Sequence, residues 1–220
     1  MIPWAFGWTG LIALPLATVR KHDLFFDEDF RGWGVDDLEW SYRICASGTP
    51  IVLRPDVCAL HLPHPRDMAA NRRTEARNFR RLLRKWPGPD VELATAFGDF
   101  DANGLYLGFM QELRLAAGGS GHSLATLRGR CRGREILVAG AVLDAQRHLV
   151  EAELLTRFDD RNEVEVLPLV GLALPYADEN VDECRLLPSL ARFSAKYAEA
   201  IRAELGRVSR KVILPAMAEA

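Results

Sequence analysis

The segment with the clearest chemical potential is a glycine–tryptophan–glycine turn that leads into two adjacent carboxylates. Gly32 and Gly34 bracket Trp33, and Asp36 and Asp37 follow after one residue. Glycine adopts positive φ without a steric penalty, so the backbone can turn and move here. Aspartate is also favoured at helix starts, and helix capping is the ordinary interpretation of the pair. The aromatic neighbours favour a second interpretation, in which the place holds a sugar ring and a carboxylate abstracts its proton.

A basic amphipathic helix is predicted downstream, over residues 66–86. Phe79, Leu82, Leu83 and Trp86 recur at i, i+3, i+4 and i+7 on one helical face, and Pro87-Gly88-Pro89 ends the helix. Its charged residues are Arg66, Arg72, Arg73, Arg77, Arg80, Arg81, Arg84 and Lys85, against Asp67 and Glu75. A solvated face is the ordinary interpretation and phosphate binding is the alternative. Nucleic acid is not expected, because no aromatic residues interleave the charges.

The chain before this helix is predicted to form strands and loops. Two short apolar runs, Pro50–Leu53 and Val57–Leu60, fit that pattern. Residues 1–19 carry no charge, but prolines and glycines interrupt them and the first cations, Arg20 and Lys21, come afterwards. A secretory signal would begin with positive charge, and a membrane span needs about 20 apolar residues, so neither is expected. We expect this stretch to form a buried strand and loop.

Helices and strands alternate in the remainder of the chain. Residues 90–117 are predicted to be helical, with Leu105, Phe109, Leu113 and Leu115 as candidate buried positions, before a flexible joint at Gly118–Gly121. Beyond the joint we predict a strand at Glu135–Ala139, a helical stretch up to residue 158, strands at Val164–Leu167 and Val181–Leu186, a helix over Phe193–Val208 and a strand at Lys211–Leu214. This alternation predicts βα units on a parallel sheet. The predicted modules are residues 1–117 and 122–220.

The composition sets the general class of protein. The chain has 220 residues, of which 49% are hydrophobic, and 28 basic residues balance 30 acidic ones to a net charge of -2. These values exclude a disordered or collagen-like chain and give no global basic field for nucleic acid. Four widely spaced cysteines, Cys45, Cys58, Cys131 and Cys184, match neither a disulfide scaffold nor a zinc site. A reducing, cytoplasmic setting is expected.

The residues around the two carboxylates belong to a longer pattern. In chain order it comprises Phe26-Asp27-Glu28-Asp29-Phe30, Trp33-Gly34-Val35-Asp36-Asp37, Tyr42-Arg43, Gly48 and Ala59-Leu60-His61. This pattern resembles the carboxyl-terminal half of the GT-A catalytic domain of family-two glycosyltransferases, including chondroitin polymerase, and is similar to the β-1,4-galactosyltransferase and polypeptide N-acetylgalactosaminyltransferase groups. Several elements in order between Phe26 and His61 are more specific than any one alone. The resemblance implies an α/β fold with a partial GT-A module, and the alternating strands and helices of residues 122–220 are expected to add a small Rossmann-like βα module.

The resemblance also implies roles for individual residues. Asp37 would be the general base and Asp36 would bind the acceptor hydroxyl, while Trp33 and Gly34 would lie on the loop that closes over the donor. Arg43, from the aromatic–arginine pair, would bind substrate, and His61 would be a ligand of a divalent metal, manganese or magnesium. The implied reaction is inverting transfer of a sugar from a nucleotide-sugar donor to an acceptor hydroxyl. His64 has no counterpart in the pattern and is interpreted as an ordinary loop histidine.

The sequence departs from the family in its donor-binding half. The nucleotide-binding strands and the metal-holding Asp-x-Asp motif of these enzymes have no counterpart here, and Asp99-Phe100-Asp101 fits helix capping better. We therefore expect a partner chain or a missing segment to supply the donor-binding half. The alternative is a non-catalytic binding or scaffold subunit of glycosyltransferase ancestry.

The carboxyl-terminal part carries a second resemblance. Ile136–Gly140, the segment from Leu174 to Asp182, and Glu204–Leu214 are similar to the strand, acidic turn and late helix–strand of class I methyltransferases. A second glycine, which would let the backbone approach a cofactor, does not follow Gly140. We therefore expect a structural Rossmann-like module without S-adenosylmethionine, and a methyltransferase remains the third hypothesis.

Overall fold

The computed structural model describes residues 1–214. Within them, α-helices lie at Leu16–His22 (α1), Asp36–Ala46 (α2), Met68–Lys85 (α3), Pro89–Phe97 (α4), Asp99–Ala116 (α5) and Ala195–Val208 (α6). Strands lie at Ser123–Cys131 (β1), Arg134–Leu143 (β2), Glu165–Leu167 (β3), Glu183–Leu186 (β4) and Val212–Ile213 (β5). Short 3-10 helices lie at Pro3–Phe6, Ala152–Arg157, Arg161–Glu163 and Pro188–Arg192. The last six residues of the predicted second module, 215–220, lie outside the described part.

The sheet confirms the predicted α/β class but is mixed rather than parallel. Its strand order is β3-β1-β2-β4-β5. Strands β2, β4 and β5 run parallel, whereas β1 is antiparallel to both of its neighbours. The β1–β2 hairpin turns at Arg132 and Gly133, whose φ angles of 51° and 72° suit a two-residue turn. Sequence reasoning missed β1, because Arg128 and Arg130 interrupt its apolar pattern.

The prediction of a helical stretch up to residue 158 is wrong. Strand β2 continues through Gly140 to Leu143, and a turn built on Asp144 follows. One carboxylate oxygen of Asp144 accepts the backbone N–H groups of Gln146 and His148. A side chain that satisfies nearby backbone donors in this way favours a turn over a helix, and only the 3-10 helix at Ala152–Arg157 forms here.

The predicted basic helix is confirmed as α3. It begins after Asp67, whose carboxylate accepts the backbone N–H of Ala70 at 2.9 Å, and it ends just before the proline pair. The next predicted helix, over residues 90–117, is divided into α4 and α5 at Gly98. The φ of Gly98 is 87°, a left-handed value that interrupts helical hydrogen bonding and suits glycine.

Helix α5 buries two of the four positions predicted for it. Phe109 and Leu113 are buried and Leu105 is partly buried, but Leu115 is 63% exposed. At 100° per residue, Leu115 lies on the far side of the helix from Phe109, so it cannot share the same apolar stripe.

The amino-terminal stretch is not the buried strand that its composition predicts. Trp4 and Ala5 are buried, but they lie in a 3-10 helix, and Leu11 and Leu16 are 56% and 57% exposed. Prolines and glycines at short intervals prevent a continuous strand here. Among the helices of residues 1–214, none combines the length and apolar content needed to cross a bilayer.

The strands predicted at Pro50–Leu53 and Val57–Leu60 are also wrong. Residues 49–67 have no helix or strand, and Leu53 and Leu60 are 86% and 93% exposed. An apolar run forms a stable strand only when a neighbouring strand pairs with it. No described strand pairs with this segment.

The core joins both parts of the chain. One apolar cluster includes Leu82 and Phe109 from before the glycine joint, and Leu169, Tyr197 and Leu205 from after it. The ring centroids of Phe109 and Tyr197 lie 5.2 Å apart. The division into modules at residues 117–122 stays a prediction.

A buried carboxylate on α4 fixes the loop after β3. Glu92 is fully buried and accepts four consecutive backbone N–H groups, those of Val170–Ala173, at 2.6–3.4 Å. Burial raises the pKa of Glu92 to about 7, and the four N–H groups act in the opposite direction. Because each donor would otherwise be buried without an acceptor, Glu92 is a structural anchor.

We expect Glu92→Ala to lower the free energy of unfolding by about 3 kcal/mol, because it leaves buried N–H donors without acceptors. Urea denaturation measures this change. The matched control is Glu199→Ala, at an exposed position on α6, which should cost less than about 0.5 kcal/mol. Equal effects of the two substitutions would contradict the anchoring role.

Candidate active site

The loop before α2 holds an unusual backbone. Gly32, Gly34 and Val35 all have positive φ, at 88°, 88° and 77°. Val35 is β-branched and buried, and a residue of this type in the left-handed region costs about 1–3 kcal/mol. Such strain persists only where the surrounding structure over-determines the conformation, and it is concentrated at functional sites.

Helix α3 imposes that conformation through two polar side chains one helical turn apart. The Thr74 hydroxyl accepts the backbone N–H of Trp33 at 3.1 Å. The side-chain amide of Asn78 is buried and donates to the carbonyls of Gly34, at 2.9 Å, and Arg31, at 3.3 Å. The loop that carries Trp33 is therefore held against α3, with the Trp33 side chain 40% exposed.

Asp37 lies in the first turn of α2, directly after this loop. It is half-buried, and one of its oxygens accepts the backbone N–H of Leu38 at 2.9 Å. The backbone N–H of Thr9 also reaches its carboxylate. Burial, and then the charge of Asp36, raise the pKa of Asp37 above its ordinary value. Since no described cation forms an ion pair with Asp37, its carboxylate is suited to accept a proton.

Asp36 precedes Asp37 as the first residue of α2. It is half-buried, and its side chain forms no hydrogen bond with any residue of 1–214. Neither aspartate caps the helix, because the N-cap position is Val35 and no side chain bonds there. The helix start therefore accounts for the bond from the first-turn N–H of Leu38 to Asp37 and for the placement of both charges, but it leaves the side chain of Asp36 without a hydrogen bond among residues 1–214.

Helix α2 is anchored to the end of α3 by a second buried carboxylate. Glu39 is fully buried and accepts from Arg43 Nε at 2.9 Å, Lys85 Nζ at 2.7 Å and Trp86 Nε1 at 3.1 Å. The guanidinium of Arg43 also donates to the backbone carbonyls of Asp23 and Phe25. Because these internal partners occupy Arg43, the structure gives it a positioning role, and its predicted contact with substrate stays a prediction.

The cations of α3 hold the acidic segment that precedes the loop. Lys85 Nζ lies 2.7 Å from a carboxylate oxygen of Asp27, and Arg81 pairs with Asp29. Arg77 donates to the carbonyl of Arg31 at 2.7 Å. Part of the basic face therefore forms intramolecular bonds while Arg77 and Lys85 stay exposed to solvent, a role that neither interpretation of the sequence anticipates.

Sequence reasoning missed the residues that α3 and the amino terminus bring to this site. Gly34 packs against Glu75, since a Cβ atom at position 34 would lie 3.5 Å from Cγ of Glu75. Burial and the nearby charge of Asp99 raise the pKa of Glu75. Asp99 in turn accepts the indole N–H of Trp8, which is next to Thr9. One signal was available, because Glu75 and Asn78 extend the apolar stripe of α3 toward its amino terminus.

His61 lies apart from these residues. It is exposed on the irregular segment 49–67, its ring stacks on His64 at 5.4 Å, and its Nε2 lies 3.5 Å from Arg66. A guanidinium neighbour repels a cation, and divalent manganese or magnesium prefers carboxylate oxygens. No group of three or more histidine, cysteine or carboxylate side chains within residues 1–214 could hold a metal ion. The described residues alone therefore do not fit the metal that the resemblance implies.

Comparison with known proteins identifies two relatives. Validoxylamine A glucosyltransferase of Streptomyces hygroscopicus subsp. limoneus is 28% identical over 241 aligned positions, which cover 98% of this chain and 52% of that protein. The protein of the same name from Streptomyces hygroscopicus subsp. jinggangensis (strain 5008) is 27% identical over 98% of this chain and 56% of its own length. These relatives point to a glycosyltransferase. The chain spans about half the length of the curated relatives it matches.

Other comparisons add no relative. No protein-family model matches the chain, and no solved structure is significantly similar to it.

We expect Asn78→Ala to release the strained loop, because it removes both donors to the carbonyls of Arg31 and Gly34. Hydrogen–deuterium exchange should then accelerate in peptides that cover residues 31–37, and stability should fall by about 2 kcal/mol. Arg73→Ala, on the exposed side of the same helix, is the control. Unchanged exchange in residues 31–37 of the Asn78 variant would show that other contacts hold the loop.

Proposed function

We propose that this chain is the acceptor-facing part of a GT-A-type glycosyltransferase that transfers a hexosyl group from a nucleotide sugar to an acceptor hydroxyl, with Asp37 as general base. The similarity to two glucosyltransferases over 98% of the chain supports the class and suggests glucose as the sugar. The observation that carries the proposal is the state of Asp37. It is a half-buried carboxylate without an ion-pair partner among residues 1–214, beside a strained loop and with a raised pKa.

The proposed reaction is a single displacement. The acceptor oxygen forms a bond to the anomeric carbon while its proton passes to a carboxylate oxygen of Asp37. The bond from the anomeric carbon to the diphosphate breaks, and the diphosphate leaves with the electron pair. Attack opposite the leaving group inverts the anomeric configuration. Asp36 would hold the acceptor hydroxyl, and Trp33 and Gly34 would line the donor side.

Residues 1–214 do not supply the elements that would bind the donor. A divalent metal would supply charge stabilisation for the leaving diphosphate, and the exposed His61, which lies beside Arg66, could be at most one of its ligands. The carboxylate ligands and the nucleotide-binding strands would come from a partner chain or a further segment. The relatives are long enough to contain such elements, because the alignment leaves about half of each relative uncovered.

A non-catalytic binding subunit is the second candidate function. The absence of a group of three metal ligands within residues 1–214 favours it. Calorimetry of the chain with manganese and a nucleoside-diphosphate glucose distinguishes the two functions. Tight ternary binding by the chain alone would contradict the binding-subunit interpretation. Binding that requires the uncovered segment of a Streptomyces relative would support a completed glycosyltransferase.

We expect Asp37→Asn to reduce transfer to validoxylamine A about 10²–10⁴-fold, because the amide cannot accept the hydroxyl proton. Release of labelled glucosyl product from a nucleoside-diphosphate glucose measures the rate, using the chain together with its donor-binding half. The melting temperature should stay at or above that of the native protein, since the substitution removes a charge that burial disfavours.

The matched control for this substitution is Asp101→Asn, which makes the same change at an exposed position in the first turn of α5. It should leave transfer unaltered. Native rates in the Asp37 variant would refute its role as the base.

The pH dependence tests the same residue independently. Transfer requires the ionised carboxylate, so kcat/KM should fall as the pH drops through the pKa of Asp37, which lies above the ordinary 3.8. The charge of Asp36 raises that pKa, so Asp36→Asn should move the acid limb to lower pH. An acid limb that does not move would assign the titration to another group.

A further inference from the structure

A groove of about 680 Å³ lies between α3, α4, the loop after β3 and α6. Its size is within the range of about 300–1,000 Å³ for small-molecule sites. The floor is mostly apolar and includes Phe79 and Ala76 from α3, Leu172 and Leu174 from the loop and Ala203 from α6. Flat apolar surfaces of this kind suit the C–H faces of ring compounds.

The rim of the groove carries charges of both signs in equal number. Three arginines, Arg72, Arg80 and Arg207, face three carboxylates, those of Glu75, Asp178 and Glu204. These formal charges sum to zero over the whole rim, so the overall attraction for a phosphate is weaker than an all-basic rim would give. Guanidinium and carboxylate groups instead supply donors and acceptors together, which hydroxyl groups require.

Two of the rim arginines are available to a ligand. Arg207 pairs with Glu204 at 2.7 Å and with Asp178 at 2.6 Å. Arg72 and Arg80 form neither hydrogen bonds nor ion pairs with any residue of 1–214. They lie on the same helix, eight residues apart, and therefore on nearby faces of it. A ligand along α3 could accept hydrogen bonds from both.

The groove and the loop of the candidate active site share one residue, Glu75. That residue lines the groove and also packs against Gly34, in the loop directly before Asp36 and Asp37. We propose that the groove binds the acceptor, a polyhydroxylated ring compound without a phosphate group, and directs one of its hydroxyls toward Asp37. This inference rests on the proposed function of Asp37, but its binding step can be measured separately.

Calorimetry with the full chain tests this binding. The probes are validoxylamine A, the compound in the relatives' names, together with trehalose and trehalose 6-phosphate as a matched pair. Ala76→Trp fills the groove from an exposed helical position, and Arg80→Gln removes one free guanidinium. Their controls are Ala69→Trp and Arg73→Gln, at exposed positions of the same helix outside the groove. Circular dichroism confirms that each variant is folded.

We expect validoxylamine A or trehalose to bind, and both groove variants to weaken that binding at least about tenfold while the controls stay within about twofold. Unchanged affinity in Ala76→Trp, preference for trehalose 6-phosphate, or no binding of any probe would overturn the proposal. Asp37→Asn separates this result from the proposed function. If that variant retains both binding and full transfer, the catalytic proposal fails and the groove assignment stands.

Discussion

The site depends on one constraint, the attachment of the left-handed loop Arg31–Val35 to helix α3. A valine at positive φ is costly, and the two preceding glycines at positive φ, Gly32 and Gly34, only make the path possible. The hydrogen bonds from Thr74 and Asn78 hold that path in place, and the buried side chain of Val35 adds packing. Because α2 begins directly after the loop, the same contacts fix the position of Asp36 and Asp37.

The distribution of charge explains why Asp37 has no cationic partner. Several cations lie near α2, but each serves another group. Lys85 is shared between Asp27 and Glu39, and Arg43 is occupied by Glu39. A cation beside Asp37 would lower its pKa and weaken it as a base. The buried carboxylate of Glu39 therefore orients α2 and takes up the charges of Arg43 and Lys85, neither of which lowers the pKa of Asp37.

The sequence predicts those parts of the fold that depend on local periodicity. The amphipathic patterns of α3 and α6 and the apolar runs of β2 and β4 are local, and each forms within a few residues of its predicted place, whereas the helix predicted over residues 90–117 is divided at Gly98. Strand pairing depends on contacts distant in sequence, so the β1–β2 hairpin and the irregular segment 49–67 could not be predicted from apolar runs alone.

In the candidate site, too, the features set by local sequence could be predicted and those set by distant contacts could not. The acidic pair and the glycines are recognisable in one short stretch, since they act through local backbone geometry. The groups that position them, Thr74, Asn78 and Glu75, lie about forty residues away, and only the fold brings them together. His61 follows the resemblance in sequence, but its neighbours are a histidine and an arginine rather than carboxylates.

The carboxyl-terminal part of the chain contributes to the site through the groove wall. Its loop after β3 is fixed at two points: Glu92 of α4 accepts the N–H groups of Val170–Ala173, and Glu204 of α6 accepts that of Leu174. A wall held by two carboxylates from separate helices is pre-organised, so a ligand does not have to order it on binding. In the proposed enzyme, this part of the chain would serve acceptor recognition, while the chemistry would take place at the loop beside α3.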